Sequence, residues 1–344
     1  MKNIIVLTFG ALAFFMASAA GADGSLAVRD LRCEYQSHPL AVDAARPRLS
    51  WILDAERRNQ SQTAYQVLVS GSRENLDRDK GDLWDSGKVA SDRSIQVEYA
   101  GKPLASYQQC FWKVQVWDVN DQPSAWSEPA VWSMGILQDN EWNACWLCFP
   151  KADTREGNAP DKPAPLPIFR RGFSIGKEIK QARIYVCGLG FYELRLNGKK
   201  VGDAMLDPGW TNYKKTCLYS TYDVTEQLRA GENALGVMLG NGMYNVTGGR
   251  YVKYTGSFGP PTFILKLRIE HADGGVTEIV SDESWRGHAG PIVFSCIYGG
   301  EDYDARQEQP GWDAPGFADA SWSPAQVGDG PGGKLVSQMA RPSG

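Results

Sequence analysis

FYELRLNGKKVGDAMLDPGWTNYKKTCLYSTYDVTEQLRAGENALGVMLGNGMYNV, running from Phe191 to Val246, alternates apolar and polar residues in short bursts. Tyr192, Leu194 and Leu196 point one way, and Glu193, Arg195 and Asn197 the other, which is the period of a half-buried β-strand. Asn197-Gly198 then supplies the two-residue hairpin turn that accepts positive φ. Asp207-Pro-Gly-Trp210 reads as a second turn beside an aromatic. Asp223 ahead of Val224 to Leu228, with Glu226 three residues on, reads as the capped start of one helical turn.

The same pattern extends in both directions. Downstream and upstream strands are expected at residues 168–173, 181–187, 218–222, 233–239, 262–269 and 277–281, with Asp273-Gly-Gly275 turning the last pair. Strands with long connections over residues 168–330 predict a jelly-roll, galactose-binding-like β-sandwich. Residues 25–136 predict a fibronectin III-like β-sandwich, with strands at residues 48–53, 64–70, 94–98, 110–117 and 130–133 and Trp51 at its centre. Residues 151–167, KADTREGNAPDKPAPLP, bury little apolar surface and read as a linker or exposed loop. The fold class is therefore all-β.

At 344 residues the chain has room for two or three cores. Its 36 Lys and Arg against 40 Asp and Glu form no basic stripe, which argues against nucleic acid as a partner. Residues 1–22 have the charged start, apolar core and small-residue end of a secretory signal, with the mature protein periplasmic or extracellular. That apolar run is short for a membrane span, and no other segment qualifies. Seven cysteines are an odd number, so one stays unpaired unless it bridges chains. Cys145-Trp-Leu-Cys148 is the one close pair; it lacks partners for a zinc site and reads as two ordinary cysteines or a local disulfide.

ELRLNGKKVGD, LDPGWTNY, STYDVT and GENALGVMLGNGMY, taken in order, resemble the N-terminal β-sandwich of bacterial α-L-rhamnosidases. PRLSW, YQVLV and LWDSGKV are similar to the leading domain of the same enzymes, and GGEDYDAR with PGWDAPGFADASW to a further signature. The resemblance implies an inverting glycoside hydrolase acting on terminal α-L-rhamnose, and so a rhamnose-containing carbohydrate as partner. It also implies a catalytic helical (α/α) barrel for these sandwiches to dock on. Inversion needs two carboxyls roughly 6.5–9.5 Å apart across the sugar. No amphipathic helices follow Trp322, so no catalytic residue is assigned. Residues 331–344, rich in Gly and Pro, are expected to be an unpacked tail at a truncation point before the barrel.

Two clusters are candidates for binding. Glu301, Asp302 and Asp304 form either a turn ordered by carboxylate bonds to backbone and to Arg306, or a calcium site; no cofactor is required. Gly240-Asn-Gly242-Met-Tyr244 is too short of glycines for a phosphate loop and lets Asn241 and Tyr244 approach a neighbour closely. With Trp210 and Tyr303 they supply the amide and aromatic faces that a sugar needs, or they pack against the barrel. The alternative to an enzyme's accessory region is a stand-alone secreted carbohydrate-binding or scaffold module.

Overall fold

Alternation in the leading region resolves into two facing sheets. Ala27–Cys33, Arg48–Asp54 and Val97–Glu98 form one; Ala64–Ser70 and Gln109–Trp117, flanked by Trp84–Asp85, Val89–Ala90 and Ala130–Ser133, form the other. The computed structural model describes residues 26–149, 165–246, 248, 250 and 253–339. Residues 1–25, which include the expected signal sequence, residues 151–164 of the connection and the last residues from 340 onward lie outside the described residues. Trp51, Trp112 and Trp132 fill the space between the sheets, each buried. Trp51 Nε1 donates to Gln62 Oε1 at 3.0 Å, which satisfies the indole's one donor. The strand expected from Ser94 shortens to Val97–Glu98 because Gln96 takes a φ of 53°.

The second sandwich packs a six-stranded sheet on a seven-stranded one. The first runs Lys199–Lys200, Tyr192–Leu196, Gly231–Leu239, Pro167–Ile175, Arg286–Ala289, Ser323–Pro324. The second runs Gln326–Gly328, Trp146–Cys148, Thr262–His271, Ile179–Leu189, Thr216–Asp223, Lys334–Ser337, with Val276–Val280 also on Thr262–His271. Leu194, Leu196, Leu235, Val237, Ile184, Val186, Leu265 and Leu267 are fully buried between them. Asn197 (φ 52°) and Gly198 (φ 82°) turn the tight hairpin, both in the left-handed region that its geometry requires. The helical turn is a single tight one at Thr225–Gln227, and Asp223 Oδ1 accepts from the Thr225 amide at 3.0 Å.

Two segments depart from expectation. Trp146–Cys148 is a strand of the second sandwich, paired with Thr262–His271 and Gln326–Gly328, although it precedes the connection. Cys148 faces inward while Cys145 stays exposed, so the two point to different environments. Lys334–Ser337 is no unpacked tail. It pairs in parallel with Thr216–Asp223, because Leu335 packs into the aromatic seam between the sandwiches.

That seam joins Ala41, Ile136 and Trp142 to Tyr185, Tyr219 and Ile264. Tyr219 O–H donates to Asp43 Oδ1 at 2.5 Å and accepts from the Ile136 amide at 3.2 Å. The Ser337 amide donates to the other Asp43 oxygen. Gly135 is required here: a Cβ would sit 2.2 Å from Asp43 Oδ1 and 2.3 Å from the Tyr219 hydroxyl. Buried Lys266 crosses the same boundary, donating to Glu141 O at 2.6 Å while ion-paired with Glu278 at 2.8 Å.

Candidate functional site

The polar face of Tyr192–Leu196 forms one wall of an open groove of about 520 Å³, lined by Phe191, Glu193, Met205, Leu206, Met238 and Tyr303. A second hollow of about 450 Å³ shares Glu193, Met238 and Tyr303 and extends to Arg195 and Trp312. The opposite wall is the hairpin Ile292–Cys296 and Gly300–Tyr303. In the second hollow Arg195 is fixed between two carboxylates, Glu193 at 2.7 Å and buried Asp313.

The candidate residues fall in different environments. Asn241 is buried; its Nδ2 donates to Ser295 O at 2.8 Å and its Oδ1 accepts from Asn245 Nδ2 at 2.8 Å. It holds the 240–242 turn against the groove's hairpin, with its amide already satisfied. Gly190 makes this possible, since a Cβ there would lie 2.0 Å from Asn241 O. Tyr244 is corrected from a sugar platform to a core residue. It is 2% exposed, stacked on Phe258 at 5.9 Å and edge-on to Tyr213 at 5.2 Å, and burial pushes its hydroxyl up to about 12. Tyr303 lies in the groove, 54% exposed, its hydroxyl donating to Glu308 Oε1 at 2.7 Å. Trp210 is 67% exposed, on the loop that follows Leu206.

Glu301, Asp302 and Asp304 do not converge. Glu301 is exposed on the groove rim, and Asp302 pairs with Arg250 at 2.5 Å. Asp304 caps the short turn Ala305–Gln307, accepting from the Arg306 amide at 3.1 Å and from its guanidinium at 2.7 and 2.8 Å. Among the described residues no group of three His, Cys, Asp or Glu side chains is arranged to hold a metal ion. The Arg250 bond lowers the Asp302 pKa, and Arg306 holds Asp304 well below the usual carboxylate range. Both are driven towards the ionised form, the opposite of what a general acid needs.

Two anchors escaped the sequence reading. Asp207, buried at the cis Asp207-Pro208 bond, accepts from Tyr192 (2.7 Å), Ser220 (2.6 Å) and Tyr222 (3.0 Å) hydroxyls and from Gln338 Nε2 (2.7 Å). Arg170, also buried, donates to Trp312 O at 2.7 Å and Ala314 O at 3.2 Å, pairs with Asp319, and lies 5.2 Å over the Phe317 ring. It secures the loop carrying Trp312, which stacks on Trp322. Asp207 read locally as a turn residue and Arg170 as one of two strand arginines, so neither carried a signal of its own.

Residues 177–344 match the α-L-rhamnosidase N-terminal domain, and residues 28–138 match a Rha78A-like N-terminal immunoglobulin domain. The chain carries the N-terminal domains of the α-L-rhamnosidase family. An α-L-rhamnosidase of Formosa agariphila is 41% identical, the match covering 83% of this chain and 32% of that relative. The α-L-rhamnosidase structure from Dictyoglumus thermophilum superposes with a TM-score of 0.83 at 41% identity, over 91% of this chain and 35% of that one. The Streptomyces avermitilis α-L-rhamnosidase, solved with L-rhamnose, gives 0.84 at 26% identity, over 92% and 46%. The chain thus spans about a third of the length of the curated α-L-rhamnosidase that it matches at 41%.

Proposed function

We propose that this chain is the accessory N-terminal region of an exported α-L-rhamnosidase, acting on rhamnose-containing carbohydrate with catalytic carboxyls that lie outside these residues. The observation that carries the reading is coverage: both sandwiches match, in order, the leading part of enzymes about three times as long as the match. The ion-paired state of Asp302 and Asp304 supports it, since neither is set up to protonate a leaving group. The hydrophobic stretch Ile4 to Met16 supports export. A second reading, a secreted carbohydrate-binding module, draws on the exposed rings of Trp210 and Tyr303.

The test is turnover of an aryl α-L-rhamnoside by the purified chain, with L-rhamnose calorimetry alongside. The expected rate equals the buffer blank. Turnover abolished by Asp302→Asn or Asp304→Asn would overturn the accessory role. Saturable rhamnose binding lost in Trp210→Ala or Tyr303→Ala would favour the binding module.

A further inference from the structure

Met205, Leu206 and Trp210 are 59%, 65% and 67% exposed, three large apolar side chains within six residues. Exposed apolar side chains scattered singly along a chain need no explanation; three on one short loop do. This set continues into the groove, whose walls include Met205 and Leu206 beside Phe191, Met238 and Ile297.

The loop that presents them is held from below. Lys200 Nζ donates to Ala204 O at 3.0 Å, the Tyr192 amide donates to Asp207 O at 3.1 Å, and the Asp207 carboxylate takes the four bonds described above. Leu206 adopts a φ of 54°, the left-handed region that a branched side chain rarely enters. A backbone fixed by buried polar bonds thus keeps three hydrophobic side chains in water. In an isolated domain nothing offsets that exposure.

The anchor is shared with Gln338. Its Nε2 holds Asp207, its Oε1 accepts from the Gly209 amide at 2.7 Å, and its own amide donates to Tyr219 O at 2.8 Å. Gln338, one residue short of the end of the described chain, thus stands against this loop, and the match covers 32% of the Formosa agariphila relative.

We infer that Met205, Leu206 and Trp210 form a preorganised docking surface for the catalytic portion of the same polypeptide. This rests on the accessory role proposed above. The occupant is a protein surface with an apolar recess, covering the loop and the adjoining end of the groove. Asp207 and Gln338 are positioning residues that set the loop's posture.

The experiment is hydroxyl-radical footprinting of the chain alone and of the chain fused to the part of the Formosa agariphila relative beyond its matched region. Met205 and Trp210 are expected to oxidise about tenfold more slowly in the fusion, as burial in a packed interface core implies. Tyr35, 53% exposed on the first sandwich, should be unchanged. Leu206→Lys with Trp210→Ser should lower the Tm of the fusion and leave that of the chain alone unaltered. Activity of the fusion on an aryl rhamnoside tests the accessory role separately. An active fusion with unprotected Met205 and Trp210 overturns the docking surface and leaves that role intact; an inactive, unprotected fusion removes both. Protection that appears in the chain alone with rising concentration assigns the loop to a second copy, and protection by L-rhamnose assigns it to sugar. Either result overturns the inference.

Discussion

Tyr219→Phe probes the seam that holds the two sandwiches in register. The substitution removes one oxygen from a fully buried side chain and changes no apolar packing. It takes away the O–H bond to the Asp43 carboxylate and the acceptor of the Ile136 amide. A hydrogen bond to a charged group contributes about 1.5–3 kcal/mol, and a buried donor left unsatisfied costs about 1–3 kcal/mol. Allowing for partial relaxation, the expected loss is about 3 kcal/mol, or a Tm lower by roughly 6–12 °C for domains of this size. Urea unfolding followed by tryptophan fluorescence and near-ultraviolet dichroism measures it, with Tyr303→Phe as the control. That control removes an exposed bond to Glu308 and should stay within about 0.5 kcal/mol. The penalty should also depend on pH. Burial raises the Asp43 pKa, against the lowering bonds from Tyr219 and Ser337. A raised carboxyl contributes stability below its unfolded value of about 3.9 and loses that contribution as pH rises through the folded value. Without the Tyr219 donor the folded value rises further, so the variant's deficit is larger at neutral pH than under acid conditions. A loss no greater than that of Tyr303→Phe, or a deficit that grows on acidification, would refute the account of the seam.

Arg170→Met should cost about 3 kcal/mol in urea unfolding, because it strips a buried fork from Asp319 and from the Trp312 and Ala314 carbonyls. Quenching of Trp312 by iodide should rise with it, and Arg170→Lys should recover less than half, since an ammonium cannot span three acceptors. Calcium at millimolar concentration is expected to leave the Tm unchanged. Asp302 and Asp304 already hold Arg250 and Arg306, and a calcium-dependent stabilisation lost in Asp304→Asn would show that the ion displaces them.

Local chemistry made much of this fold legible. Asn197-Gly198 and Asp273-Gly274-Gly275 turn where they were read to turn, because few residues other than Gly and Asn accept their dihedral angles. Period-two alternation located Arg48–Asp54 and Tyr192–Leu196, each with one face against a core, and short apolar runs located Ala64–Ser70 and Gly231–Leu239, which are buried on both faces. Trp146–Cys148 and Lys334–Ser337 were missed because three or four residues are too few to show a period. Their strand character comes from partners far away in the chain. Asp43 and Tyr219 are 176 residues apart, and nothing beside either one marks the other.

The candidate residues fall into different environments for a related reason, and the separation is informative. Tyr244 and Trp210 have the same local credentials, an aromatic ring beside a glycine turn. One is sealed by Phe258 and Tyr213, and the other stands in solvent. What separates them is which rings from elsewhere in the chain pack over them, Tyr213 and Phe258 over Tyr244, a property of the tertiary fold with no trace in six residues of sequence. Asn241 shows a third outcome: its amide is spent on Ser295 and Asn245, so its contribution to the groove is the shape of the turn. Which rings this chain exposes is therefore set by anchors such as Asp207, Arg170 and Gln338, which read as ordinary polar residues. Each joins elements 131 residues or more apart, as Gln338 does to Asp207 and Arg170 to Trp312. A substitution at one of these anchors should alter the surface more than a substitution at any ring it displays, because the anchor fixes the backbone from which several rings project.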